Sequence, residues 1–92
     1  PAKPVISSVT GGKKNLTVSY RKVTGASGYQ IAYSTSQSSG YKYLNLNSKT
    51  YKKTITKLSS GKKYYVKVRA YKTINGKKYY GNYSAVKSVK VK

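Results

Sequence analysis

Neither aspartate nor glutamate occurs anywhere in the 92 residues, and histidine, cysteine, methionine, tryptophan and phenylalanine are missing with them. Each absence closes a class of chemistry. Without carboxylate or imidazole there is no acid and base pair for hydrolysis, no base for a nucleophilic triad and no acid to orient one. Lysine and tyrosine remain as bases, but no lysine sits in an apolar segment of the kind that desolvates an amine, so the chain reads as a non-enzyme. Zinc sites draw on Cys, His or carboxylate ligands and calcium sites lean on Asp and Glu oxygens, so neither a metal nor another cofactor is expected. Having no cysteine, the chain makes no disulfide, which suits a bacterial surface protein, a cytosolic one or an engineered scaffold equally. Apolar runs never exceed three residues, so neither a membrane span nor a signal-peptide core is expected.

Missing acids are the anomaly. At ordinary composition a chain of this length would lack both Asp and Glu on the order of once in a hundred thousand cases. Twenty lysines and arginines are then unopposed, the formal net charge is +20, and all aromatic work falls to twelve tyrosines. Such a chain repels copies of itself, favours the monomer and attracts polyanions within a Debye length.

Apolar residues recur at period two rather than at helical spacing: Leu16, Val18 and Tyr20; Tyr29, Ile31 and Tyr33; Tyr64, Val66, Val68 and Ala70; Val89 and Val91. Half-buried strands follow. Between them stand turn signals, "TGGKKN", "TGASG", "SQSSG", "LSSGKK" and the pair Asn75 and Gly76, which suits a two-residue hairpin because both central residues need positive φ. The expected architecture is all-β, an antiparallel immunoglobulin-like sandwich of about seven strands. Its length allows one domain, residues 1–92, with "PAKP" at 1–4 read as a linker remnant.

In their order these segments resemble the fibronectin type III family, in the lysine- and tyrosine-rich style of bacterial multidomain surface proteins, over essentially the whole chain. "PVISSVTGGKKNLTVSY" is similar to the first two strands of that family, with Tyr20 where tryptophan is usual. "GYQIAYSTS" resembles the third strand, "LSSGKKYYVKVRAY" the corner before the sixth strand and that strand, and "YYGNYSAVKSVKVK" the last, with Tyr83 at a position often tryptophan. Leu58 and Tyr64 match the leucine and corner tyrosine of the family. The resemblance implies that the Tyr64 hydroxyl ties the strand back to the preceding corner. No Arg-Gly-Asp tripeptide stands near Asn75, so integrin-type adhesion has no support.

Candidate polyanion contacts are Lys13, Lys14, Lys62 and Lys63, which the family topology places at one pole, Lys77 and Lys78 at the other, and Lys67 and Arg69 on the outward side of "YYVKVRA". Solvated lysines that protect turns and edge strands explain the same pattern. Tyr20, Tyr29 and Tyr33 are expected in the core. Tyr41, Tyr43, Tyr65, Tyr71, Tyr79 and Tyr80 are expected largely outside, either as a stacking surface for sugars or bases or as ordinary strand residues on which lysine stems pack. No nucleic-acid motif accompanies the charge, so sequence-specific reading is not expected.

The function expected is a non-catalytic structural or adhesive spacer, or accessory module, of a secreted or cell-surface bacterial protein. Its expected partners are anionic polymers, among them cell-wall polymers, heparin-like chains and nucleic acid bound without specificity. Two other readings stay open. One is a carbohydrate- or polyanion-binding module that uses exposed Tyr and Lys; the other is an engineered carboxylate-free scaffold, favoured by Gln30 at a position where an acid is expected in relatives.

Overall fold

Residues 3–92 are described here by a computed structural model, which forms two antiparallel sheets packed face to face. Strands β1 (Ile6–Gly12), β2 (Asn15–Tyr20) and β5 (Lys52–Ile55) make the smaller sheet, in the order β1-β2-β5. The larger runs β4 (Lys42–Asn47), β3 (Gly28–Ser34), β6 (Lys63–Ile74), β7 (Lys77–Tyr80), and β8 (Lys87–Lys90) also pairs β6. No helix of the described residues is long and apolar enough to cross a membrane.

Alternation produces this arrangement directly. Leu16, Val18 and Tyr20 from β2 face Tyr29 and Ile31 from β3 and Tyr64, Val66, Val68 and Ala70 from β6, and all are buried in one core with Ile6, Ile55, Leu58 and Val91. Tyr33, expected inside, is only half-buried. Two tyrosines meet at the centre: the Tyr20 and Tyr29 rings lie 4.9 Å apart, tilted by 56°. Their hydroxyls find backbone partners at the core margin. Tyr20 Oη donates to the Thr50 carbonyl at 2.7 Å, and Tyr29 Oη accepts from the Val23 amide at 2.6 Å. This satisfies the polar tip that phenylalanine would lack.

Three features depart from the sequence reading. The strand expected to be last is divided, giving eight strands instead of about seven. After Gly81 donates to the Ala70 carbonyl the chain bulges, and Ser84 rejoins β6 through its amide to the Val68 carbonyl at 2.7 Å, while its hydroxyl accepts from the Val68 amide at 3.0 Å. A side-chain oxygen thus stands in for a ladder carbonyl. Second, Pro4 is fully buried, so the domain begins within the segment read as a linker; Pro1 and Ala2 lie outside the described residues. Third, β3 is buried on both faces, because its outward positions Gly28, Gln30, Ala32 and Ser34 are covered as well.

Turn chemistry fixes both ends. Asn75 and Gly76 have φ of 52° and 77°, as a two-residue hairpin with both central residues left-handed requires, and β6 continues into β7 with Ile74 opposite Lys77. At the other end Lys14 (φ 55°) and Lys57 (φ 60°) take the left-handed region without being glycine.

Candidate functional site

Cover over β3 comes from its neighbours. Residues directly opposite in an antiparallel ladder share a face. Ala32 pairs Tyr43 and Lys67, Gln30 pairs Asn45 and Arg69, Ser34 pairs Tyr65, and Gly28 pairs Tyr71. Small residues on β3 therefore form a floor, and long ones on β4 and β6 lean over it. Gly28 marks the closest approach, since a Cβ there would run into the Tyr71 phenol.

Above this floor cations and tyrosine rings alternate. The Lys67 ammonium lies 4.4 Å from the Tyr41 ring centroid and 4.3 Å from that of Tyr83, and the Arg69 guanidinium lies 4.6 Å from Tyr83 and 3.8 Å from Tyr80. Tyr80 meets Tyr71 at 5.8 Å, and Lys78 sits 4.8 Å over Tyr71. Gln30 anchors the stack from below: its Oε1 accepts from Arg69 Nε at 2.8 Å and from the Tyr83 hydroxyl at 3.0 Å. Its Nε2 donates to Asn45 Oδ1 at 3.3 Å. Burial raises the Tyr83 phenol above the ordinary tyrosine pKa, with the Arg69 cation pulling the other way.

Magnitudes show why the rings matter. Positions two apart on a strand are about 7 Å apart, and two unit charges at that distance repel by roughly 0.6 kcal/mol in water and about 2 kcal/mol at an effective dielectric of 20. Four cation and ring contacts at about 0.5–1 kcal/mol each are of the size needed to offset this. Tyrosine faces do here what carboxylates do elsewhere.

Lysines gather at one pole through backbone interlocking. The Lys14 amide donates to the Lys92 carbonyl at 2.9 Å, Lys92 to Gly12 at 3.0 Å, Leu58 to Lys14 at 3.0 Å, and Val91 to Lys62 at 2.9 Å. Lys63 opens β6 opposite Lys90. The expected neighbours Lys13, Lys14, Lys62 and Lys63 are thus brought together, all exposed, and Lys57, Lys90 and Lys92 join them. Lys77 and Lys78 lie at the far end of β6, twelve residues along a molecule 42 Å long. Lys67 and Arg69, expected as free outward contacts, are half-buried between rings. Their outward direction follows from alternation; the rings that clamp them come from outside β6, beyond the reach of a single-strand pattern.

Tyr64 occupies the corner. Its ring is buried beside Leu58, and its hydroxyl accepts from the Ser59 amide at 3.0 Å, closing the turn before β6. A concavity of about 410 Å³ lies beside it, lined among others by Tyr33, Ser34, Lys42, Lys57 and Tyr64. Amines, hydroxyls and phenols are the chemistry it offers. Among the described residues there is no group of three side chains able to hold a metal.

No protein-family model and no curated protein matches the sequence. Solved structures do. The chain is similar to an Fn3-like protein from Clostridium thermocellum, at 23% identity and a TM-score of 0.73 over 100% of this chain and 94% of that one. It is similar to the fn3 domain of human contactin 1, at 17% identity and a TM-score of 0.81 over 100% of this chain and 79% of that one. A third match is the β-1,2-glucanase from Parabacteroides distasonis, at 19% identity and a TM-score of 0.76, where 96% of this chain covers 12% of the enzyme. Two sheets in this order, the Tyr64 corner and these likenesses agree: the chain has the fold of a fibronectin type III domain.

Proposed function

We propose that the chain is a non-catalytic spacer or accessory module of a bacterial secreted or cell-surface protein, drawn to anionic polymers by a field spread over its whole surface. One observation carries the reading. Exposed lysines cover both poles and no acidic side chain opposes them, so the side-chain charge has one sign in every direction. The similarity to a segment of a bacterial β-1,2-glucanase supports an accessory role alongside other domains. The chain holds no carboxylate or imidazole side chain for acid and base catalysis, which supports the non-enzymatic part.

Exposed Tyr43, Tyr51 and Tyr79 favour a second reading, a carbohydrate-binding module in which sugars lie on open rings. Titration of heparin, teichoic acid and single-stranded DNA against the protein at several salt concentrations separates the two. A diffuse field binds all three and loses affinity steeply with salt. Saturable binding of one neutral glycan that persists at about 0.5 M salt, where charge is screened, overturns the spacer reading in favour of the carbohydrate module.

A further inference from the structure

Arg69 differs from the other cations of the surface in being held rather than merely exposed. Its guanidinium is stacked on Tyr80 at 3.8 Å and on Tyr83 at 4.6 Å, and its Nε is fixed by Gln30 Oε1 at 2.8 Å. Among the described residues Nε is the one guanidinium nitrogen with a hydrogen-bond partner, and no unpartnered side-chain nitrogen is buried. The two terminal nitrogens therefore reach solvent as a fixed fork. Lys67, two residues along the same face, is set between Tyr41 and Tyr83 in the same manner.

We infer that Arg69 and Lys67, clamped by Tyr80, Tyr83 and Tyr41, form a preorganised site for tetrahedral oxyanions, sulfate or phosphate, carried at short spacing along an acidic polymer. This rests on the polyanion reading above and gives it a location. The guanidinium fork matches two oxygens of one anion, and the ammonium supplies a point charge about 7 Å away for the next. Because the stack already orders both side chains, little rotamer freedom is lost on binding, unlike at the polar lysines. No acidic side chain competes. The rings beside the two cations already carry them, so the site reads oxyanions and not bases. A polymer without bases is therefore the expected ligand.

Inorganic polyphosphate and dextran sulfate are the probes, titrated at about 0.15 M salt, where the diffuse field is largely screened beyond some 8 Å. The side-chain Nε–Hε resonance of Arg69 is expected to move with saturation, and the stronger of the two probes identifies the anion. Arg69→Lys keeps the net charge but loses the fork, and is expected to bind about tenfold more weakly, whereas Lys62→Arg at the pole stays within about twofold. Tyr80→Leu keeps every charge and carries the test if Arg69→Lys does not fold; it is expected to weaken binding about threefold. Equal binding by a folded Arg69→Lys or Tyr80→Leu variant, or shifts confined to the polar lysines, overturns the site and leaves the diffuse field standing. Absence of binding to either probe even at low salt overturns both. An oligothymidylate that binds more tightly than polyphosphate of equal charge also overturns it, because stacking on open rings would then be the recognition.

Discussion

Replacing Tyr64 by phenylalanine removes one oxygen and leaves the buried ring in place, so it isolates the hydrogen bond that closes the corner before β6. That oxygen accepts from the Ser59 amide at 3.0 Å. Ser59 itself is exposed, so its amide can return to water, and the cost falls in the range of a net intramolecular hydrogen bond, about 0.5–1.5 kcal/mol, rather than that of an orphaned buried donor. For a domain of this size each 1 kcal/mol lowers the melting temperature by roughly 4–8 °C. Tyr65→Phe is the control: Tyr65 faces the other side of β6 and its hydroxyl makes no hydrogen bond among the described residues, so the expected cost is below about 0.5 kcal/mol. Paired urea and thermal unfolding followed by circular dichroism reads both. Equal losses at the two positions, or none at Tyr64, would refute the corner as a stabilising contact.

From pH 7 down to pH 2 no side chain has an ordinary pKa to titrate through, so melting temperature at fixed ionic strength is expected to stay nearly flat, and a cooperative loss between pH 5 and 3 contradicts this. Alkali acts differently. Burial, with a smaller contribution from Tyr29, raises the Tyr20 phenol in the folded state, so its contribution is complete below the unfolded value near 10 and is lost as pH rises beyond it, since the unfolded chain then releases the proton first. Melts above pH 10 should show a steeper decline for the parent than for Tyr20→Phe. Gly28→Ala drives a methyl into the Tyr71 phenol and is expected to cost about 1–3 kcal/mol by chemical denaturation; a neutral result would show that the roof over β3 yields freely.

Periodicity was enough for the core because the core obeys it. Leu16, Val18, Ile31, Val66 and Val68 stand at alternate positions in long, central strands, and every one is fully buried. Strands β4 and β5 gave little signal: they lie at sheet edges, where Lys42, Tyr43, Asn45 and Lys52 have no second layer to hide in. The paired lysines at 13, 14, 62 and 63 could be placed once the resemblance supplied a topology for the turns that carry them. Lys57, Lys90 and Lys92 could not, because hydrogen bonds between segments far apart in sequence bring them to the same pole. The clamp around Arg69 was hidden for a related reason. Its rings come from Tyr80, which ends β7, and Tyr83, within the bulge between β7 and β8, and alternation within β6 says only that Arg69 points outward.

A double-mutant cycle between Arg69 and Tyr80 asks most directly whether tyrosine rings take the place of the missing carboxylates. Arg69→Met keeps the stem and removes the cation, and Tyr80→Leu removes the ring from above it. Unfolding free energies of the parent, both single variants and the double variant give the coupling free of burial effects common to each change. The guanidinium lies 3.8 Å from the ring centroid and Tyr80 is 39% exposed, so the expected coupling is favourable and about 0.5–1 kcal/mol. Additive single effects, with a coupling indistinguishable from zero, would contradict the role assigned to the stack and leave the cations of the outer sheet held by solvation alone.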